Sequence, residues 1–130
     1  MSSSLTDDSS RIKTLLEGPY FRGMDEVSFE VFEPCFHPEA RLAFIQDGEL
    51  VMLSLSEWRA RLEAIRSDPS HPILQETSRK EVETVRVDGD VASAVVSFRF
   101  TSRAYVDHLH LTRCQGEWRI LSKTFHLELG

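Results

Sequence analysis

The fold is decided by residues 91–128, which read VASAVVSFRFTSRAYVDHLHLTRCQGEWRILSKTFHLE. Apolar and polar residues alternate along three segments, at 91–102, 104–114 and 117–128, and Gln115-Gly116 supplies a turn between the last two. Such alternation places every second side chain on the same face of a β-strand. The stretch therefore predicts long strands that are joined by short turns into an antiparallel meander.

One acid in this stretch lies on the face that should be buried. In YVDHLHL, residues 105–111, alternation puts Asp107 on the same face as a tyrosine and two leucines. A buried carboxylate must be hydrogen-bonded, or be neutral with a raised pKa, and such acids collect at functional sites. The alternative is a structural carboxylate held by the backbone or by Arg99 or Arg103. If Asp107 is unpaired, its replacement by leucine should leave stability unchanged or slightly raised.

Upstream of the strands, apolar residues recur at helical spacing. The pattern predicts helices over 9–22, 25–36 and 56–66, with a kink or restart at Gly18-Pro19 in the first and Asp25 as the N-cap of the second. These helices are expected to pack on the concave face of the sheet.

Between the second and third helices the spacing of apolar residues changes from helical to that of the two strands of a β-hairpin. Residues 40–46 and 49–54 flank Asp47-Gly48, a strong two-residue turn signal. Residues 67–72 are a predicted loop, and 74–87 is the first strand of the meander. Helices first and a run of antiparallel strands afterwards indicate an α+β fold.

Composition excludes several classes of protein. The 130 residues fit one domain, expected at 9–130 behind a disordered N-terminus at 1–8. A net charge of −6 argues against nucleic acid as a partner. The sequence has no apolar run of about 18 residues, and its start lacks the features of a signal peptide, so we expect no membrane partner and a cytoplasmic location.

Signals for a metal or a reactive thiol are weak. His108 and His110 share a strand face, but their spacing implies no third ligand, and a structural or interface role is favoured. Cys35 and Cys114 are too few for a disulfide framework and are expected to be thiols. The sequence carries no Gly-rich phosphate loop, CxxC or nucleophile elbow. We therefore expect neither a metal nor a cofactor.

Several short motifs, in this order and spacing, resemble a known superfamily. They are Tyr20, FHPEA at 36–40, Asp47-Gly48, Ser56-Glu57-Trp58, VDGDVASAVV at 87–96, YVDHLHL at 105–111 and GEWRILSKTF at 116–125. Over about residues 10–128 the chain resembles the nuclear transport factor 2-like (cystatin-like) superfamily, and most of all its putative lumazine-binding or SnoaL-type branch. The resemblance implies a cone, in which helices close over a strongly curved antiparallel sheet and leave a pocket.

The superfamily includes steroid isomerase, scytalone dehydratase and polyketide cyclases, so the fold alone assigns no reaction. Steroid isomerase uses a tyrosine and a protonated aspartic acid as oxyanion donors and a second aspartate as base. The resemblance matches the donors to Tyr20 and Asp107. It matches the base to Phe44, which cannot take a proton, so a base such as His37 or Glu39 would have to be recruited.

Three functions therefore stay open. The leading one is binding of a small apolar or cyclic ligand in an apolar cone pocket, with Tyr20 and Asp107 as its polar groups. Its expected walls are Trp58, Phe98, Phe100, Trp118 and Phe125. The second is an isomerase, dehydratase or cyclase acting on a cyclic carbonyl compound, with Tyr20, Asp107 and His37 as candidate catalytic residues. The third is a dimeric interaction module whose core is filled.

Self-association is expected in any of these cases. On the predicted outer face of the sheet, polar and histidine side chains lie beside Val95, Val106 and Leu121. A mixed face of this kind suits a two-fold interface, so we expect a homodimer that forms through the sheet.

Overall fold

The structure, a computed structural model, describes residues 5–129. Its α-helices are α1 (Leu5–Leu15), α2 (Phe21–Glu26), α3 (Phe29–Phe32), α4 (Leu55–Arg66) and α5 (Pro72–Gln75). Its strands are β1 (Phe36–Gln46), β2 (Glu49–Ser54), β3 (Arg79–Asp88), β4 (Val91–Arg99), β5 (Arg103–Cys114) and β6 (Glu117–Leu129). None of the helices in residues 5–129 is long and apolar enough to cross a bilayer.

The first helical stretch changes geometry at Gly18-Pro19, where the sequence predicts an interruption. Pro19 has no N–H to donate, and the chain forms a π-helix at Leu16–Tyr20 in which the N–H of Phe21 reaches the carbonyl of Leu16. Leu16 and Tyr20 are both fully buried at the two ends of this turn. The π-helix thus delivers the tyrosine into the interior.

The second predicted helix, 25–36, is wrong in its bounds. The chain stays helical through Glu26, so Asp25 is no N-cap, and the break falls at Val27, whose φ of 48° is left-handed. The four-residue α3 follows, and then a 3₁₀ turn at Glu33–Cys35. Pro34 lies in that turn and lacks the N–H that a longer α-helix would need.

The third predicted helix is confirmed as α4, and its start follows from a capping box. The Ser54 side chain accepts from the Glu57 N–H at 3.2 Å, and Glu57 Oε1 accepts from the Ser54 N–H at 2.8 Å. The predicted loop at 67–72 ends in the one-turn helix α5, which Pro72 starts.

The six strands form one sheet in the order β2-β1-β6-β5-β4-β3. The predicted meander is confirmed, because β3 to β6 pair in sequence as antiparallel neighbours. One junction of the sheet is parallel, since β1 pairs with β6 in that direction. In the β1–β2 hairpin, β2 forms the edge of the sheet, so that β1 lies between β2 and β6.

The predicted disordered stretch, residues 1–8, needs correction where the structure describes it. Residues 5–8 already belong to α1, and residues 1–4 lie outside the described residues. Asp8 is held on the sheet because its carboxylate accepts from Arg113 Nη1 at 2.8 Å and from Trp118 Nε1 at 3.1 Å. These charge-assisted hydrogen bonds fix the start of α1 against β5 and β6.

Candidate functional site

A cavity of about 320 Å³ lies between the helices and the inner face of the sheet. Most of its wall is apolar and comes from α2, α4, β1, β5 and β6. Its charged side chains are Arg61, Arg103, Asp107 and Lys123, and Gln46, His71 and Tyr105 add polar groups. The size is at the lower end of small-molecule pockets, and an apolar wall with a few polar groups is their usual composition.

At the cavity wall, Asp107 is the centre of a buried polar cluster. The Tyr20 hydroxyl donates to Asp107 Oδ2 at 2.6 Å, and Lys123 Nζ lies 3.4 Å from the same oxygen. Tyr20 is fully buried, and Asp107 and Lys123 are 1% and 4% exposed. Three ionisable groups from the π-helix, β5 and β6 therefore meet in a site with almost no contact with water.

Four aromatic rings surround the Lys123 ammonium. Its Nζ lies 4.7 Å from the ring centre of Trp58, 5.3 Å from Tyr20, and 5.6 Å from both Phe32 and Phe125. We refer to these four rings as the aromatic cage. Ring faces at such distances attract a cation, so the cage and the Asp107 carboxylate together replace the water that the ammonium loses.

Burial sets the protonation of this cluster. Burial lowers the pKa of Lys123, and the neighbouring Asp107 carboxylate only partly opposes this effect. Burial also raises the pKa of Tyr20 well above its ordinary value, and the Asp107 charge adds to the shift. The phenol therefore keeps its proton and donates it to Asp107, whereas the lysine gives up its proton more readily than an exposed lysine does.

A β-bulge is what turns Lys123 inward. Leu111 pairs with Ile120 while His110 pairs with Ser122, so Leu121 is an extra residue in β6. Before the bulge the even-numbered residues Trp118 and Ile120 face the core; after it Lys123 is buried instead. Strict alternation from Ile120 would have put this lysine on the outer face.

Sequence reasoning missed Lys123, although a signal was present. The expected wall residues Trp118 and Phe125 lie an odd number of positions apart, so both can face inward only if the strand contains a bulge. The side chains that the sequence suggested as partners of Asp107 were those of Arg99 and Arg103. In the structure Arg99 faces Glu83 instead, at 3.8 Å, and the cation beside Asp107 is Lys123.

Two arginines add positive charge to the cavity wall. The buried Nε–H of Arg103 has no hydrogen-bond partner among the described residues. The guanidinium of Arg61 lies over the Phe44 ring at 5.4 Å and is exposed. With Lys123, the lining carries three cationic side chains and one carboxylate, in a chain whose net charge is −6. Clefts lined by one sign of charge concentrate ligands of the opposite sign.

Of the residues predicted for the ligand site, Trp58, Asp107 and Phe125 line the cavity. Tyr20 lies behind Asp107, outside the lining, and its hydroxyl is bonded to that acid. It therefore orients Asp107, and its proton is not free for a ligand.

The other predicted wall residues lie away from the cavity. Phe98 is fully buried and packs on Tyr20 and Phe21, with ring centres 6.0 and 5.5 Å away. Trp118 is 5% exposed and lies before the bulge, in the part of β6 that packs against Asp8. Phe100 lines a separate surface groove beside Thr77. The alternation that identified these aromatics does not distinguish a packed core from a cavity wall.

The bases suggested by the sequence are also elsewhere. His37 is half-buried near the start of β1, and its Nδ1 accepts the Glu39 N–H at 3.0 Å. Neither residue lines the cavity. Phe44, the residue matched to the isomerase base, does line it and stacks on Phe125 with ring centres 4.6 Å apart.

The histidine pair and the cysteines singled out by the sequence lie outside the lining of the cavity. His108 and His110 are exposed on the outer face of β5. Within residues 5–129, no three His, Cys, Asp or Glu side chains are grouped as metal ligands. Both cysteines are free thiols, Cys35 buried and Cys114 exposed.

Comparison with known proteins places the chain in a family. A family model described as putative lumazine-binding matches residues 7–126. No curated protein sequence matches the chain. Among solved structures, an NTF2-like protein of unknown function from Silicibacter pomeroyi is similar at 22% identity, with a TM-score of 0.79 over 97% of this chain and 100% of that one.

Two further structures support the same fold. An NTF2-like protein of unknown function from Shewanella baltica has a TM-score of 0.84 at 16% identity, over 99% of this chain and 100% of that one. A domain of unknown function with a cystatin-like fold from Nostoc punctiforme has a TM-score of 0.73 at 18% identity, over 98% and 81% of the two chains. At these identities the structures establish the architecture and leave the ligand open.

Proposed function

The chain belongs to the putative lumazine-binding family, within the nuclear transport factor 2-like superfamily, and on that basis we propose that it binds a small molecule in the cavity. The proposed ligand has an apolar, cyclic body and a head group with oxygen acceptors, such as a carboxylate or a carbonyl. The observation that carries this proposal is the buried Nε–H of Arg103, which has no partner among residues 5–129. A buried donor without a partner is unfavourable, and a ligand oxygen would satisfy it.

The roles of the polar residues follow from their contacts. Arg103 and Lys123 are the donors toward the head group, since both are cationic and line the cavity, whereas the third cation, Arg61, is exposed over the Phe44 ring. Asp107 holds the Lys123 ammonium in place, and Tyr20 holds Asp107. The ligand body would pack on Trp58, Phe125 and the rest of the apolar wall.

The alternatives are less well supported. An isomerase of the steroid type needs a base where Phe44 stacks on Phe125, and a phenyl ring accepts no proton. Its two oxyanion donors would include Tyr20, whose hydroxyl is already bonded to Asp107. An interaction module with a filled core conflicts with a cavity of about 320 Å³.

The first test is the affinity for 2-naphthoate, a bicyclic apolar carboxylate, by isothermal titration calorimetry. Arg103→Gln should weaken binding about tenfold or more, because a charge-assisted hydrogen bond contributes about 1.5–3 kcal/mol. The matched control is Arg86→Gln, on β3, whose side chain is 78% exposed and bridges Asp88. Absence of naphthoate binding at millimolar concentration, or equal losses in the two variants, would contradict the proposal.

We also expect the chain to form a homodimer through the outer face of the sheet. Leu50 and Met52 are 63% and 58% exposed there, and Leu121 is 39% exposed. Exposed apolar side chains in such a group are typical of an interface. Light scattering at micromolar concentration should give twice the chain mass, and Met52→Glu should halve it. A wild-type monomer under these conditions would show the expectation to be wrong.

A further inference from the structure

We propose that Lys123 captures an aldehyde or ketone in the cavity as an imine. The inference rests on the proposed function, because the carbonyl compound must first enter the cavity, and it assigns that ligand a covalent attachment point. It makes Lys123 the group that reacts, whereas a non-covalent binder would use this lysine only as a hydrogen-bond donor.

The position of Lys123 suits this chemistry. Lys123 lines the cavity, next to the apolar wall on which a ring would pack, and its side chain is nearly inaccessible to water. The chain has two other lysines, and neither is placed in this way. Lys13 is exposed on α1, and Lys80 pairs with Asp25 at 2.7 Å. An amine in a desolvated apolar pocket is the usual setting of a reactive lysine.

A neutral amine is available because a proton acceptor lies beside it. Asp107 Oδ2 is 3.4 Å from Lys123 Nζ, close enough to take the ammonium proton after a small approach. Transfer converts an ion pair into two neutral groups, which a low-dielectric site tolerates well. The lowered pKa of Lys123, which burial causes, supports the same conclusion.

Imine formation at Lys123 needs no oxidant or reductant. Asp107 takes one proton from the Lys123 ammonium, and the free amine attacks the carbonyl carbon. A C–N bond forms while the C=O π bond breaks, and the oxygen takes the proton back from Asp107. The nitrogen then gives a second proton to Asp107, which passes it to the leaving hydroxyl. Water departs, a protonated imine remains on Lys123, and Asp107 is again a carboxylate.

The surroundings stabilise the product as well as the starting lysine. A protonated imine carries the same single positive charge as the ammonium, so the aromatic cage and Asp107 continue to face a cation. Tyr20 keeps its bond to Asp107 Oδ2 throughout and acts as a positioning residue. The site therefore changes its bonding at one nitrogen with no change in net charge.

The experiment uses 2-naphthaldehyde with sodium cyanoborohydride at pH 7, followed by peptide mapping by mass spectrometry. Hydride from the cyanoborohydride reduces the imine carbon and leaves a stable naphthylmethyl amine. We expect this adduct at Lys123 at a rate at least tenfold above that at Lys13 or Lys80. An excess of 2-naphthoate should suppress it by competing for the cavity.

Two variants complete the test. Lys123→Arg keeps a cation beside Asp107 but cannot form an imine, so it should lose the adduct while circular dichroism shows an intact fold. Lys80→Arg is the matched control and should keep it. Should Lys123→Arg fail to fold, the wild-type ratio between Lys123 and Lys13 still decides the question.

The outcomes separate this inference from the proposed function. Naphthoate binding without a preferred adduct at Lys123 would overturn the imine and leave the binding proposal standing. A preferred adduct at Lys123 without measurable naphthoate binding would support the imine and contradict the carboxylate head group. Equal labelling of all three lysines would overturn the imine, because ordinary surface amines react in that way.

Discussion

Lys123→Met is expected to lower the free energy of unfolding by about 3–5 kcal/mol at pH 7, the usual effect of removing one partner of a buried ion pair. The loss arises because Asp107 would remain buried with the Tyr20 hydroxyl as its hydrogen-bond donor and no cation beside it. Urea denaturation followed by tryptophan fluorescence measures the change. As a control, Lys80→Met removes a partly exposed ion pair with Asp25 and should cost about 0–1 kcal/mol.

The double variant Lys123→Met/Asp107→Leu makes the test specific to the pair. Removing both charges should recover most of the loss, because apolar groups of similar size replace a buried ion pair with little penalty. Asp107→Leu alone should destabilise, since it leaves Lys123 without its carboxylate. This reverses the sequence-based expectation for an unpaired acid. Additive losses in the double variant would show that the two side chains do not act as a pair.

The second large effect concerns Tyr20 at alkaline pH. Burial and the Asp107 charge raise the pKa of this phenol well above 10.0, so the folded state keeps a proton that the unfolded chain releases. More protons are then bound by the folded state, and stability must fall as pH rises above about 10. This one group contributes a slope of about 1.4 kcal/mol per pH unit.

Tyr20→Phe should therefore change stability in two opposite ways. At pH 7 it removes a hydrogen bond to a buried carboxylate and should cost about 1.5–3 kcal/mol. Above pH 10 the gap to wild type should narrow by about 1.4 kcal/mol per pH unit, because phenylalanine has no proton to lose. Urea denaturation at pH 7, 10 and 11 measures both effects. A constant gap across this range would contradict the assignment.

Two neighbours of Tyr20 also make stability depend on pH in this range, and their contributions must be separated from that of the tyrosine. Burial raises the pKa of the Cys35 thiol to about 12, so this group also lowers stability as pH rises above 9. Burial lowers the pKa of Lys123, which raises stability with pH until the unfolded lysine titrates near 10.5. Both contributions remain in Tyr20→Phe, so the difference between the two proteins isolates the tyrosine.

A spectroscopic measurement tests the same assignment directly. The chain has two tyrosines, so in a Tyr105→Phe background the tyrosinate absorbance reports Tyr20 alone. The absorbance should appear only as the protein unfolds. A reversible increase near pH 10 in the folded protein would show that the phenol is not held as we describe.

Much of the fold could be predicted because its signals are local. Alternation over 91–114 predicted the strands, and apolar residues at helical spacing over 56–66 predicted α4. The parallel pairing of β1 with β6 could not be obtained in this way. It depends on which edge of the sheet the hairpin occupies, and that is set by packing between parts of the chain far apart in sequence.

Only part of the site could be predicted from the sequence in this way. Asp107 stood out because an acid on an apolar strand face conflicts with the local pattern. Lys123 did not stand out, because a lysine at an outward-facing position is ordinary and the bulge that reverses its direction changes no residue type. Whether an aromatic lines a cavity or fills the core depends on the volume left by all its neighbours. The sequence therefore could not distinguish Phe98 and Trp118, which fill the core, from Phe125, which lines the cavity.

The π-helix at Leu16–Tyr20 makes the site depend on chain length as well as on side chains. A π turn holds about one residue more than an α turn, and each residue added to or removed from a helix rotates the residues beyond it by about 100°. Closing Leu16–Tyr20 as an ordinary α-helix of the same length would therefore rotate Tyr20 relative to Ile12 on α1. The phenol would then point away from Asp107 with every side chain of the cluster still present. Removing one residue together with the π turn, as in a deletion of Glu17, would largely restore its direction, so a relative with a regular α turn here must be one residue shorter to keep the same donor.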